Sequence, residues 1–335
     1  MRKEILITCV LLCGCTAASS SHQTGTAILG YNGISEAGIY HLVTNDSGSL
    51  VYFYDREADM DVPLCNRPNC EHNDPSCNAA ALTTYDDKRL STPPMYVGNC
   101  LYLCYENTST LENVLCTAKQ DGSDRKEYMK LPNDILVSAI IEDDLLYMTF
   151  NGMERDENGM ITGTGNEYKN YIASLSDKKI NEIKSDPTTA LYYLGSVEDT
   201  VYAQAVSALV DGSYRTDLVT VEEDGVKNKA EGVPSLSHLI GKYAYWDNDG
   251  MIMQYDVTTG EQTEYWRPME DTYKVRSIAN DGLMTMSCPI GEEDHAVYYA
   301  DLLKKEMIET TERPVAVYDG EVLTAQEDGK LHKRK

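Results

Sequence analysis

Phenylalanine and tryptophan are almost missing from this chain of 335 residues, which has 2 of each. Positive charge is scarce as well: 29 Lys and Arg stand against 54 Asp and Glu, a formal net charge of −25. A phosphate backbone is gripped by clustered Lys and Arg, so this deficit excludes nucleic acid as a partner. Beyond the N-terminus no stretch approaches the roughly eighteen apolar residues of a membrane-spanning helix. No long window carries the 3.6-residue apolar period of an amphipathic helix either. What remains is a foldable composition, 42% apolar and 25% charged, with 24 Tyr. Tyr suits half-buried strand surfaces, where the ring packs and the hydroxyl stays wet.

The first fourteen residues read as an address. Arg2 and Lys3 give a positive start, and Ile5–Cys13 is an apolar run too short to cross a bilayer. The run closes on Leu12-Cys13-Gly14-Cys15, which resembles the bacterial lipobox. That resemblance implies a signal peptide over residues 1–14 and a diacylglycerol thioether on Cys15. Two acyl chains hold a domain at a membrane stably where one holds it only marginally. Cleavage would remove Arg2, Lys3 and Glu4 and take the charge from −25 to −26. The stretch 15–26 is rich in Ser, Thr and Ala and reads as a lipidated, flexible tether. The expected location is the bacterial cell membrane, facing outward.

From Gly38 onward one unit keeps returning: a short strand, a second strand, a turn rich in Asp, Gly, Ser or Lys, and a third strand. Val114–Lys119 with Glu127–Leu131 across Asp121-Gly122-Ser123, and Ile252–Val257 with Gln262–Trp266 across Thr258-Thr259-Gly260, are clear examples. Successive turns lie about 35 to about 65 residues apart, the scale of one propeller blade with insertions. The expected fold is all-β: a single β-propeller over residues 27–335 with about seven four-stranded blades, six or eight being the neighbouring counts. Pairing of the N-terminal strand region, about Ala27–Tyr31, with the C-terminal group would close the ring and remove its edges.

Of 10 cysteines, Cys9 and Cys13 leave with the signal and Cys15 is the anchor. Three more lie in a Pro-, Asn- and Asp-rich loop after the first blade, where Cys65, Cys70, His72 and Cys77 form C-x4-C-x-H-x4-C. Three thiolates and an imidazole can close a tetrahedral shell, the geometry of a structural zinc site. A disulfide among the three cysteines is the rival reading, since thiols oxidise outside the cytoplasm. Cys100, Cys104, Cys116 and Cys288 read as small apolar residues, with a cross-strand Cys104–Cys116 bridge as the alternative.

The lipobox, the Tyr-rich repeats and the Leu-Cys-x4-Cys-x-His loop before Asn78-Ala79 together resemble surface lipoproteins of anaerobic Firmicutes predicted to be TolB-like or related β-propellers. The resemblance implies a surface location and a propeller, and it implies no activity.

Catalytic signals are thin. The 6 histidines show no H-E-x-x-H pair, and there is no nucleophile elbow. His41, His238 and His295 fall on different blades, where a ring would have to bring them together. Acidic pairs such as Asp143-Asp144, Glu222-Glu223 and Glu292-Glu293-Asp294 read as solvated turns. Asp247-Asn248-Asp249-Gly250 and Asp156-Glu157-Asn158-Gly159 read as hairpin turns ahead of calcium loops. The expected function is a binding or scaffold module that presents the ring mouth to a protein, peptide or glycan. The alternative is a propeller-type polysaccharide hydrolase or lyase at the cell surface.

Overall fold

The computed structural model describes residues 26–45, 48–73, 77–80, 82–83, 88–157, 161–209, 211–233, 239–268, 274–278, 282–289, 295–318 and 320–334. The expected signal segment, Cys15 and the expected tether up to residue 25 lie outside them. Among the described residues every regular element is a strand, and no helix is long and apolar enough to cross a membrane.

The strands form seven antiparallel sheets in chain order. Blade 1 holds β1 (Thr26–Ile34), β2 (Gly38–Asn45), β3 (Gly48–Asp55) and β4 (Met60–Pro63). Blade 2 holds β5 (Leu82–Thr83), β6 (Lys88–Leu90), β7 (Met95–Val97), β8 (Cys100–Asn107), β9 (Asn113–Ala118) and β10 (Lys126–Leu131). Blade 3 is β11 (Ile135–Glu142), β12 (Leu145–Arg155), β13 (Ile161–Ser174) and β14 (Lys179–Ile183). Blade 4 is β15 (Thr189–Val197), β16 (Thr200–Ala208), β17 (Tyr214–Glu222) and β18 (Gly225–Ala230). Blade 5 is β19 (Leu239–Ile240), β20 (Tyr243–Asn248), β21 (Met251–Asp256) and β22 (Gln262–Trp266). Blade 6 is β23 (Lys274–Ile278), β24 (Leu283–Pro289), β25 (His295–Asp301) and β26 (Glu306–Ile308). Blade 7 is β27 (Arg313–Tyr318), β28 (Glu321–Ala325) and β29 (Leu331–Lys333).

In blade 2 both β6 and β7 pair with β8, at opposite ends of it. Pro93 and Pro94 stand between them, and residues without an N–H cannot carry the ladder through.

The core is not central but sits between blades. One apolar cluster joins Tyr40, Leu42, Val51 and Leu64 of blade 1 to Leu101 and Leu103 of blade 2. Another joins Cys104, Leu115 and Met129 to Leu146, Met148 and Phe150 of blade 3. Similar clusters follow round to blade 7, and a last one sets Ala316, Leu323 and Leu331 against Ile39 and Tyr54 of blade 1. A ring of face-packed sheets is a β-propeller, and its seven blades agree with the repeat pattern of the sequence.

Closure differs from expectation. β1 pairs with β2, so blade 1 is filled by its own four strands and offers no place to a C-terminal strand. Among the described residues no ladder joins β1 to blade 7. Two carboxylates of blade 1 do that work instead. Asp61 accepts the Leu331 N–H at 2.7 Å, and Asp59 accepts the Lys333 N–H at 2.9 Å. The Tyr318 hydroxyl also donates to the Ser35 carbonyl across this seam.

Candidate metal centre

The loop that leaves β4 is tied down locally before it reaches its ligands. The Leu64 N–H donates to the Val51 carbonyl at 2.9 Å, and the Val51 N–H donates to the Ala79 carbonyl at 2.7 Å. The chain therefore leaves and re-enters at the same edge of blade 1, which gathers residues 65–73 and Cys77 beside it. Within this loop, Asn69 and His72 adopt left-handed backbone angles, φ 57° and 58°. Asn and His are both among the non-glycine residues enriched in that region.

The loop brings Cys65, Cys70, His72 and Cys77 together: one donor atom from each lies within 4.8 Å of all the others. A tetrahedral zinc with Zn–S bonds of about 2.3 Å sets its sulfurs about 3.8 Å apart, so the shell fits such an ion after a small contraction. His72 Nδ1 is 3.2 Å from Cys77 Sγ. Cys77 is fully buried and the other three are half-buried.

The sulfurs are surrounded by donors. The Ala79 N–H reaches Cys77 Sγ at 3.4 Å, and the N–H groups of Arg67 and Asn78 donate to the Cys65 sulfur. Cys65-Asn66-Arg67 and Cys77-Asn78-Ala79 thus form two equivalent turns, each with the N–H two residues on aimed at the sulfur. Their Asn side chains bond to one another, Asn78 Nδ2 donating to Asn66 Oδ1 at 2.8 Å. N–H groups pointed at sulfur favour thiolate, which a metal requires and a disulfide does not. Burial acts to raise the Cys65 thiol, yet these donors and the neighbouring cysteines hold it below its ordinary value. Burial pushes Cys77 up to about 12. Burial, and then the Arg67 charge, lowers His72, which keeps its imidazole neutral as a ligand must be.

An outer shell comes from blade 2. Arg125 donates to the Ala80 carbonyl at 2.8 Å, to the Cys77 carbonyl at 3.1 Å and to the Tyr105 hydroxyl at 2.6 Å. Tyr105 in turn donates to the Ala80 carbonyl at 3.1 Å. Asn66 Nδ2 donates to Asp121 at 3.1 Å. The four donors that the sequence grouped do come together, while Arg125, Tyr105 and Asp121 beside them were missed; the repeated Cys-Asn dipeptide was the legible trace of the paired turns.

Other sequence candidates fall elsewhere. His41 does not face the channel. It lies on β2, fully buried toward blade 7, with Nε2 at 2.9 Å and 3.0 Å from the two oxygens of Asp61. His238 lies outside the described residues, as do the side chain of His295 and the run Glu292-Glu293-Asp294. Asp144 is spent on the Ser176 N–H at 3.0 Å, and Glu222 on Lys227. Asp249 and Gly250 form a two-residue hairpin turn with φ 48° and 78°, and Asp247 accepts the Gly250 N–H at 2.9 Å. The Cys104–Cys116 bridge is corrected by register: Cys104 faces Leu115 and Cys116 faces Leu103, so the two thiols point to opposite faces of the sheet.

No family model matches the chain, and no curated protein matches it. Solved structures do. An acylaminoacyl peptidase from Pyrococcus horikoshii superposes with a TM-score of 0.56 at 12% identity, over 93% of this chain and 52% of that one. The β-propeller domain of the Trilobed protease from Pyrococcus furiosus gives 0.53 at 11% identity, over 90% of this chain and 89% of the domain. The likeness is one of fold alone. This chain spans about half the length of the whole peptidase, 52%, but nearly all of the isolated propeller, 89%. That propeller is described as having an open velcro topology, in keeping with the seam found here without a ladder.

Proposed function

We propose that this protein is a lipid-anchored, outward-facing propeller that serves as a binding or scaffold module for a protein, peptide or glycan, with a structural zinc ion in the Cys65/Cys70/His72/Cys77 shell. The observation that carries the reading is how the reactive side chains are used. His41 and Asp61 are locked together at the seam, and Asp144 and Glu222 are committed to turns. Among the described residues the one set of convergent donors, the three cysteines and His72, would supply four ligands and so close a tetrahedron without an open position for substrate. A shell of that kind supports a scaffold rather than a reaction.

Each part has its own measurement. Protein purified without air is expected to hold about one zinc per chain by elemental analysis. A metal-free chain about two mass units below the fully reduced value would instead place a disulfide there. Cys15→Ala is expected to release the protein from membranes into the soluble fraction, and unchanged retention would refute the anchor. Calorimetry of the zinc-loaded protein against defined peptides and polysaccharides is expected to give saturable binding with substrate left intact. Cleavage of a polysaccharide would favour the hydrolase or lyase reading.

A further inference from the structure

The outer strand of blade 1 is poorly held by its own contacts. β4 has four residues and one ladder partner, β3. Its apolar side chains, Met60 and Val62, are 49% and 40% exposed, so burial contributes little to its order. An edge strand of this length is fastened by what happens at its ends. At one end Asp59 and Asp61 receive the backbone N–H groups of Lys333 and Leu331, and Asp61 also holds His41. At the other end the chain runs through Pro63 and Leu64 directly into Cys65. That link is short and stiff: Pro63 fixes its own φ, its carbonyl accepts the Cys65 N–H at 2.7 Å, and the Leu64 N–H is bound to Val51.

We infer that the metal shell and the ring seam are coupled through β4, so that filling the shell fastens the closure of the propeller. The inference rests on reading the four-donor cluster as a zinc site. With the shell filled, Cys65 is fixed, β4 has a fixed end, and the two carboxylates stay where the C-terminal strand needs them. With the shell empty, Cys65 loses that anchor, and β4 keeps its ladder to β3 and the Asp61–His41 pair but no fixed end on the loop side. The amides of Leu331 and Lys333 then lose a preorganised acceptor, although they lie in another blade and far along the chain from any ligand. No strand ladder at the seam compensates, because among the described residues none exists there.

The test is amide hydrogen exchange on the full chain, stripped with a chelator and then reloaded with zinc chloride alone. Removal of zinc is expected to speed exchange at Leu331 and Lys333 by about tenfold, together with residues 60–62. Linkage requires the reverse effect, so Asp59→Asn, a mild change at an exposed position, is expected to weaken zinc binding by a similar factor. If zinc binds but protects only residues 64–80, the coupling is wrong while the metal site stands. If no zinc binds, the reading of the shell fails and this inference with it. The wild-type exchange measurement decides the matter even if the variant does not fold.

Discussion

Tyrosine outnumbers phenylalanine because its hydroxyl crosses from blade to blade. Tyr40 donates to the Gln120 carbonyl at 3.2 Å, Tyr202 to Val257 at 3.3 Å and Tyr265 to Leu302 at 3.3 Å, each in the next blade. Tyr128 does the same to Leu175. A phenyl ring would fill the gap between sheets but leave a carbonyl without a donor. Arg125 plays a comparable part at the metal loop, where one guanidinium spans the Ala80 and Cys77 carbonyls. Arg125→Ala is expected to weaken zinc binding by about 10- to 100-fold in a competition titration with a chromogenic chelator, the usual scale for outer-shell partners. Arg125→Lys should restore little, because a single ammonium cannot reproduce the planar fork.

Among elements, the repeat extends to individual contacts. In blade 3 the Lys178 ammonium lies 4.2 Å over the ring of Tyr128 and donates to the Tyr128 carbonyl at 2.9 Å. In blade 6 Lys305 lies 3.9 Å over Tyr265 and donates to its carbonyl at 2.8 Å. Both lysines sit in left-handed turn positions, φ 56° and 57°, three residues after the leucine whose carbonyl takes the tyrosine hydroxyl. Lys178→Met and Lys305→Met are therefore expected to lower stability by similar amounts, about 0.5–1 kcal/mol each, in urea titrations. Outer hairpins such as Ile252–Val257 with Gln262–Trp266 were legible in the sequence, since a polar Gly turn separates two strands. Apart from the region Ala27–Tyr31 in β1, the first strands were not. β15 is buried along most of its length, because both of its faces meet neighbouring blades, and the alternation that marks a strand is lost. The four clustered donors were legible because they fall within one loop. Arg125 and Tyr105 were not, since only the packing of blade 2 on blade 1 brings them there.

For the whole molecule, closure by carboxylates makes the ring sensitive to acid. Burial acts to raise Asp59, but it is outweighed by the Lys333 N–H, the Tyr54 hydroxyl and the charges of Lys333 and His332, and the carboxyl is held below its ordinary value. A group depressed in the folded state contributes stability above its unfolded pKa and loses it as pH falls through the folded one. The Asp59 contribution should thus be intact at neutral pH and begin to fall away only below about pH 4. Thermal unfolding followed from pH 7 to pH 3 is expected to show a smaller acid-induced loss in Asp59→Asn than in the wild type. Equal losses would assign the acid sensitivity to other carboxylates.

The seam without a ladder also bears on the order in which the molecule is made. In a ring sealed by exchanged strands, the first strand must wait unpaired until the last residues emerge. Here β1 finds its partner in β2, and every ladder among the described residues lies within one blade. Blades can therefore condense one after another as the chain leaves the ribosome, with sequence-local pairing and a low contact order. The contacts that span the length of the chain are those of the seam, Leu331 and Lys333 with Asp61 and Asp59, Tyr318 with Ser35, and the apolar cluster beneath them. Docking of the seam is then the final folding step, and truncation after residue 312 should leave six assembled blades rather than an unfolded chain.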